Sequence, residues 1–512
     1  MLLSLFAPPE GKISIPSLIV SVPVCSLVLW IVYCRTLHPL AKYPGPFLAS
    51  FSRIWQLYRV FQGDMDVAHR DLHHRYGPVI RIAYDEVSIS DASAIKDIYS
   101  AADVFAKTDF YTLLRPPFAR YPDHFSSTDE KVHGQRRRIV NSLYSMTSVM
   151  ESEGCIDQVS ELFLRRMDDL AGEGKFFDLA TWFQFYAFEV IGVLYFNKMF
   201  GNLENGWDVS GVTTALDTLL PIHFASCFVQ RYLRPVFLLP GSLFSRVRGA
   251  IRGLSKLRDA SLACVAERKN LVQDGRKTRA DILDKMFRIY EERGKELDYN
   301  VIDVEVEIYA ALFAGSDTTA ISLTAIIYHL MKHPNAYDKL VEEIDKATDA
   351  GILSQPNIRH EEAMKLPYLD ACCKEAMRLH PGIGWTVPRY VPKGGRTIVG
   401  QWFDEGIRVG INPAVTHFDR SVFGEDADQF NPDRWFRGDS VNMEKHMLVF
   451  GAGPRTCIAK NIALAEIRKL IPQLLRAYQL EMVDPGKEWK RANIWFNRVS
   501  GVEVRASKRS TS

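Results

Sequence analysis

The stretch FGAGPRTCIAK, residues 450–460, holds a cysteine, Cys457, that directly precedes the helical pattern IAKNIALAEIRKLIPQLL. A cysteine at a helix start meets unpaired N–H groups and the positive end of the helix dipole. Both favour the thiolate, which is a nucleophile and a metal ligand. Arg455 adds positive charge beside Cys457, and Gly451 and Gly453 let the backbone approach a ligand closely. Two other readings compete. A dinucleotide turn also runs from an apolar stretch through Gly-x-Gly into a helix, but Thr456 holds its third glycine position, so that fingerprint fails. A buried structural cysteine is the commonest fate of a free thiol and is the stronger reading of this stretch taken alone.

Other stretches add polar groups. Glu375 and Arg378 in KEAMRLHP share a helical face at i, i+3; taken bare, such a pair is a surface ion pair of small worth. FNPDRW places Pro432, Asp433, Arg434 and Trp435 in a row. AGSDTT, residues 314–319, sets poor helix formers inside a strong helical pattern, a local violation that points to function. Gly315 would let the helix approach or open beside a flat cofactor. Thr318 would bond back to a carbonyl or hold a water, and Asp317 would relay protons from solvent. A Ser/Thr kink with a solvated Asp is the plain alternative.

Taken together, these stretches resemble the cytochrome P450 family. Phe450, Gly453, Arg455 and Cys457 match its haem-binding loop F-x-x-G-x-R-x-C-x-G, with Ala459 in place of the last glycine. Glu375 and Arg378 match E-x-x-R, Pro432 to Trp435 stand where the family has P-E-R-F, and Ala314 to Thr319 match A/G-G-x-D/E-T-T. The resemblance implies haem b with Cys457 as axial thiolate ligand of the iron. It implies a structural network of Glu375, Arg378 and Arg434, and proton delivery by Asp317 and Thr318 as the catalytic pair. Haem propionates need cations; the candidates are Arg455, Arg389 in VPRYVPKGG, and His133 with Arg137 in HGQRRR, which resembles W-x-x-x-R with His for Trp. Arg136 and Arg138 are expected to face solvent and, with Lys460, to meet an acidic partner. HPLAKYPGPF and VFGEDADQFNPDRW look most like microsomal fungal members of the pisatin-demethylase group.

Several elements must position these residues. A helix is expected from about Asn300 to Lys332, stopping before His333–Pro334. At roughly 50 Å it would run through the whole body. Short strands are expected at Val79–Ile89, Thr397–Val399 and Val502–Val504. The fold class is therefore mainly α with small β-sheets, not a doubly wound α/β fold; the resemblance implies one large haem domain over 51–507 and a short polar tail at 508–512. Phe105, Phe110, Tyr111, Phe118, Tyr121 and Phe125 crowd a stretch that in the family lies over the haem; such a cluster is more often plain core, and otherwise suggests an apolar, ring-containing substrate.

Residues 13–34 carry no charge, and as a helix they would span roughly 33 Å, enough for a bilayer's hydrocarbon layer. Arg35 and Lys42 follow and only Lys12 precedes, which puts the body in the cytosol. A cleaved signal peptide is the alternative, but the run is long and no A-x-A site follows. The proline-rich hinge at 35–50 would hold the body at a set angle. The apolar stretch Tyr232–Phe244 reads either as a second membrane contact or as a buried loop.

The chain has 512 residues, with 63 Lys plus Arg against 61 Asp plus Glu, so it lacks the basic excess of a nucleic-acid binder. Its 8 cysteines form no C-x-x-C pair, which argues against structural zinc. No hydride- or flavin-binding fingerprint is present. The resemblance therefore implies electrons from NADPH through a separate flavoprotein reductase, with a small haem electron carrier as a further donor. It implies a single-pass endoplasmic reticulum protein that inserts one oxygen atom into an apolar fungal secondary metabolite. A haem-thiolate isomerase or dehydratase, and a haem-binding protein without turnover, are the rival readings.

Overall fold

The computed structural model describes residues 15–100, 105–229, 233–273 and 281–509. Eight of its helices bear on the site: α1 (Ile15–Thr36), α2 (Glu130–Val140), α3 (Leu179–Phe196), α4 (Val212–Phe228), α5 (Arg234–Gly241), α6 (Val301–Lys332), α7 (Pro367–Leu379) and α8 (Lys460–Ala477). Helix α6 starts with a reciprocal cap. The Asn300 side chain accepts from the N–H groups of Ile302 and Asp303, and the Asp303 carboxylate accepts from the Asn300 N–H at 2.8 Å. It stops at His333, because Pro334 has no N–H to continue the ladder. Helix α3 is apolar on all faces and buried almost throughout, and α6 packs along it more extensively than against any other element. Gly315 makes that crossing close: a Cβ there would lie 2.8 Å from the Ile191 side chain. The expected opening of α6 at Gly315 does not occur. The helix runs unbroken through Ala314–Thr319, and the glycine serves the contact with α3.

The strands are β1 (Val79–Ala83), β2 (Glu86–Ile89), β3 (Phe176–Asp178), β4 (Arg389–Tyr390), β5 (Arg396–Ile398), β6 (Gln401–Phe403), β7 (Arg408–Gly410), β8 (Tyr478–Met482), β9 (Lys490–Asn493), β10 (Asn497–Ser500) and β11 (Glu503–Lys508). They form a sheet ordered β1-β2-β7-β4, one ordered β3-β11-β8, and the pairs β5–β6 and β9–β10. The stretch Val79–Ile89 is thus a hairpin rather than one strand, turning at Tyr84–Asp85, with Val79 opposite Ile89. Mainly helical with small sheets, the architecture holds most of its core around α3, α6 and α8, with a smaller apolar cluster beside the first sheet.

Helix α1 is apolar and exposed, with Ile19 and Leu29 more than two-thirds accessible, whereas α3 and α6, also long and apolar, are interior. Its base is tied to the body. The Arg81 guanidinium donates to the Cys34 carbonyl at 2.7 Å, the Arg81 N–H donates to the Pro44 carbonyl at 2.7 Å, and the Trp30 indole donates to the Phe51 carbonyl at 2.9 Å. Of the expected anchor and second apolar contact, 13–14 and Tyr232 lie outside the described residues. The rest of the latter is largely α5, where Val236 and Leu239 are strongly exposed.

Candidate functional site

Cys457 lies three residues before α8, and its N–H donates to the Phe450 carbonyl at 2.8 Å, closing the loop. Gly453 is required there: at φ +62° its Cβ position would fall 1.8 Å from the Tyr99 carbonyl oxygen. Cys457 is exposed as a residue, although many protein atoms surround it. Burial pushes the thiol pKa up, while the N–H groups of Ala459 and Lys460 and the charges of Arg137 and Lys460 pull it down. Burial wins. The helix-start N–H groups pull toward the thiolate but do not offset burial unaided; a bound metal cation would displace the proton outright. Ala459 adopts φ −87° and ψ 13°, a conformation open to any residue, so its methyl imposes no backbone strain.

Basic side chains converge near this loop. Burial lowers the pKa of Lys107 far below the lysine range, and Arg389 and Arg455 lower it further. Burial likewise lowers His133 to about 3, with Arg455, Arg137 and Lys107 adding repulsion. Arg137 and Arg455 are lowered in the same way, burial first. Arg455 is clasped by Glu130, with Nη2 at 2.6 Å, and Arg389, at the edge strand β4, donates to Tyr111 Oη at 3.2 Å. The His133 Nε2 is buried with no protein partner. Two basic groups that burial and the neighbouring arginines hold short of protonation, an orphaned ring nitrogen and an exposed cysteine fit a dianionic group with a metal centre, whose negative charge would let the bases take their protons. Lys107 escaped sequence reasoning, because nothing local distinguishes KTDF from a surface lysine.

Beneath the loop, Glu375, Arg378 and Arg434 meet in the interior. The Arg378 Nη2 and Arg434 Nε both donate to Glu375 Oε1 at 2.8 Å, and the Trp435 indole donates to Oε2 at 3.1 Å. Arg378 also donates to the carbonyls of His417 and Ala427, each at 2.6 Å. His417 carries the link onward. One ring nitrogen bonds the Arg378 carbonyl at 3.0 Å, and the other accepts the Leu448 N–H at 2.8 Å, at the entrance to the cysteine loop.

On α6, the Thr318 hydroxyl donates to the Ala314 carbonyl at 2.9 Å, leaving its lone pairs free. Asp317 is buried, which removes the alternative of a solvated side chain. It accepts from Gln184 of α3 at 2.7 Å and from Arg498 of β10 at 3.1 Å. Arg498 also donates to Asp217 of α4, whose pKa is pushed up by burial. A relay through Asp317 thus involves three other elements, none near it in sequence. Arg136 is half-buried and engaged near the surface, donating to the Asp298 carbonyl at 2.8 Å and stacking on Tyr121 at 4.2 Å. Arg138 and Lys460 are exposed.

The expected aromatic set divides. Phe105 belongs to the cluster beside the first sheet, Phe118 packs edge-on against Tyr309 of α6, and Tyr121 is exposed. Phe110 and Tyr111 instead join Trp495 from the β9–β10 turn, at ring distances of 4.7 and 6.1 Å.

A sequence model described as Cytochrome P450 matches residues 44–499. Cytochrome P450 monooxygenase gsfF of Penicillium aethiopicum is 41% identical over 94% of this chain and 96% of its own length. Cytochrome P450 monooxygenase pkfB of Emericella nidulans is 35% identical over 95% of each chain. A pisatin demethylase of Fusarium vanettenii is 31% identical over 96% of this chain and 94% of its own.

Proposed function

The chain belongs to the cytochrome P450 family and is an oxygen-incorporating oxidoreductase; from that premise we propose a membrane-anchored haem-thiolate monooxygenase. It inserts one oxygen atom into an apolar small molecule of fungal secondary metabolism, with NADPH electrons passed on by a separate flavoprotein reductase. The exposed Cys457 beside buried basic groups, held short of protonation by burial and by Arg389, Arg455 and Arg137, carries this reading. Haem bound there supplies dioxygen activation, and a thiolate ligand favours O–O cleavage.

The chain's own groups do the rest. Cys457 holds the iron, and the N–H groups of Ala459 and Lys460 temper the charge on sulfur. Arg389, Arg137 and His133 receive the propionates, and Arg455 with its partner Glu130 closes that wall. Phe450 and Gly453 shape the loop. The Thr318 hydroxyl, back-bonded to Ala314, stands ready to pass a proton, and Asp317, freed when Arg498 shifts toward Asp217, relays a replacement proton to it from solvent. Helix α1 and the exposed apolar face of α5 rest in the endoplasmic reticulum membrane with the 51–507 body on the cytosolic side. Arg138 and Lys460 present positive charge to the reductase.

Replacing Thr318 with Ala tests the proton role. With reductase and substrate, the variant is expected to consume NADPH at a near-normal rate while most of the electrons leave as hydrogen peroxide. Full coupling of NADPH to product would contradict it.

A further inference from the structure

Six aromatic rings meet beside the α6 segment that carries Asp317 and Thr318. They come from four separate segments: Phe110 and Tyr111 from a short 3-10 helix, Phe224 and Phe228 from the end of α4, Trp385 from the connection before β4, and Trp495 from the β9–β10 turn. All six are at most 5% exposed. Phe228 lies 4.7 Å from Trp385 and 5.2 Å from Phe110, and Phe224 stacks on Trp495 at 5.7 Å. Two contacts tie this box to α6. A Cβ at Gly382 would lie 3.8 Å from the Thr318 carbonyl, and His223 touches both Phe224 at 5.8 Å and Phe313 at 6.2 Å.

Inside the box, the Trp385 indole nitrogen is buried and donates to no protein atom. An N–H left unpaired in an apolar interior costs roughly 1–3 kcal/mol. Phenylalanine would fill similar apolar space without that cost. A site built to donate one hydrogen bond selects a substrate that accepts it, whereas an apolar wall discriminates weakly.

We propose that Trp385 orients the substrate through its indole N–H, and that the substrate is a flat aromatic molecule bearing an acceptor oxygen, a carbonyl or an aryl ether, on one edge. This rests on the monooxygenase reading and sharpens its substrate class. The rings supply stacking faces, and the unpaired Trp385 N–H fixes which edge of the substrate lies against that side of the box.

The test uses the full-length, haem-loaded protein and two flat tricyclic probes of nearly equal shape, 9-fluorenone with its carbonyl and fluorene without. Affinities come from equilibrium dialysis. Trp385→Phe is expected to lower the fluorenone-to-fluorene affinity ratio about tenfold, the worth of one hydrogen bond, while fluorene affinity stays within about twofold. On the wild-type protein, the infrared carbonyl band of 13C-labelled fluorenone is expected to shift to lower frequency on binding. An unchanged ratio, an unshifted carbonyl band or no binding of fluorenone to the wild type would overturn the proposal. A water merely parked on the indole gives the unchanged ratio. The reduced carbon-monoxide spectrum of the same wild-type preparation keeps the two claims apart: a thiolate-type band with an unchanged ratio overturns this inference alone, and its absence removes the monooxygenase reading.

Discussion

Glu375 joins the buried cluster beside the site at its centre of negative charge. Its two oxygens accept from Arg378, Arg434, Trp435 and the Asn431 N–H, and it is fully buried. Removing one member of such a cluster leaves the other charges uncompensated, at a cost of about 3–5 kcal/mol. Glu375→Ala is therefore expected to lower the thermal unfolding midpoint sharply and to yield protein depleted in haem. Calorimetry with a haem assay reads both, and a variant that keeps its midpoint and full haem content would show the cluster to be dispensable. The route of failure runs through His417, which joins the Arg378 carbonyl to the backbone at Leu448, ahead of Cys457. Sequence spacing presents Glu375 and Arg378 only as a pair on one helix face. Their worth comes from Arg434, more than fifty residues away, and that distance is closed only by the fold.

At the scale of elements, legibility followed locality. Helix α6 was readable from Asn300 to Lys332 because its cap and its stop are written in neighbouring residues. The cysteine loop was readable because Gly453, Arg455 and Cys457 lie within a few positions of each other. Asp317 shows the limit. Its type and place in AGSDTT are local, but its partners are Gln184 on α3 and Arg498 on β10, which no periodicity links to it. Gly315 reads as freedom to open a helix, whereas its missing side chain serves the close crossing at Ile191. The aromatic run from Phe105 to Phe125 suggested one cluster, and the chain's turns distribute it over a sheet, a helix and the surface. Trp385 and Trp495 could not be singled out, since each sits in a connection whose direction is set by tertiary pairing.

The whole molecule carries an unusual load of buried neutral imidazoles. Burial lowers His329 and His417 to about 3 and His73, His223 and His380 to about 4, and takes His69 well below its ordinary value. An unfolded chain protonates these rings near pH 6.5, so below that pH it binds protons that the folded chain refuses. The stability these rings support is complete above about pH 6.5 and is lost as pH falls toward 4, with each ring adding a slope of about 1.4 kcal/mol per unit. His124, raised by Glu307 despite burial, works in the opposite sense. The unfolding midpoint is expected to fall steeply between pH 7 and pH 5. A flat profile over that window would mean that the imidazoles are hydrated in solution.

The central claim is that this protein binds haem through Cys457, and a difference spectrum of membranes holding it, reduced and exposed to carbon monoxide, tests that most directly. A strongly red-shifted Soret band that disappears in Cys457→Ala is expected. A band at the position of histidine-ligated haem, or no haem signal from folded protein, would contradict it.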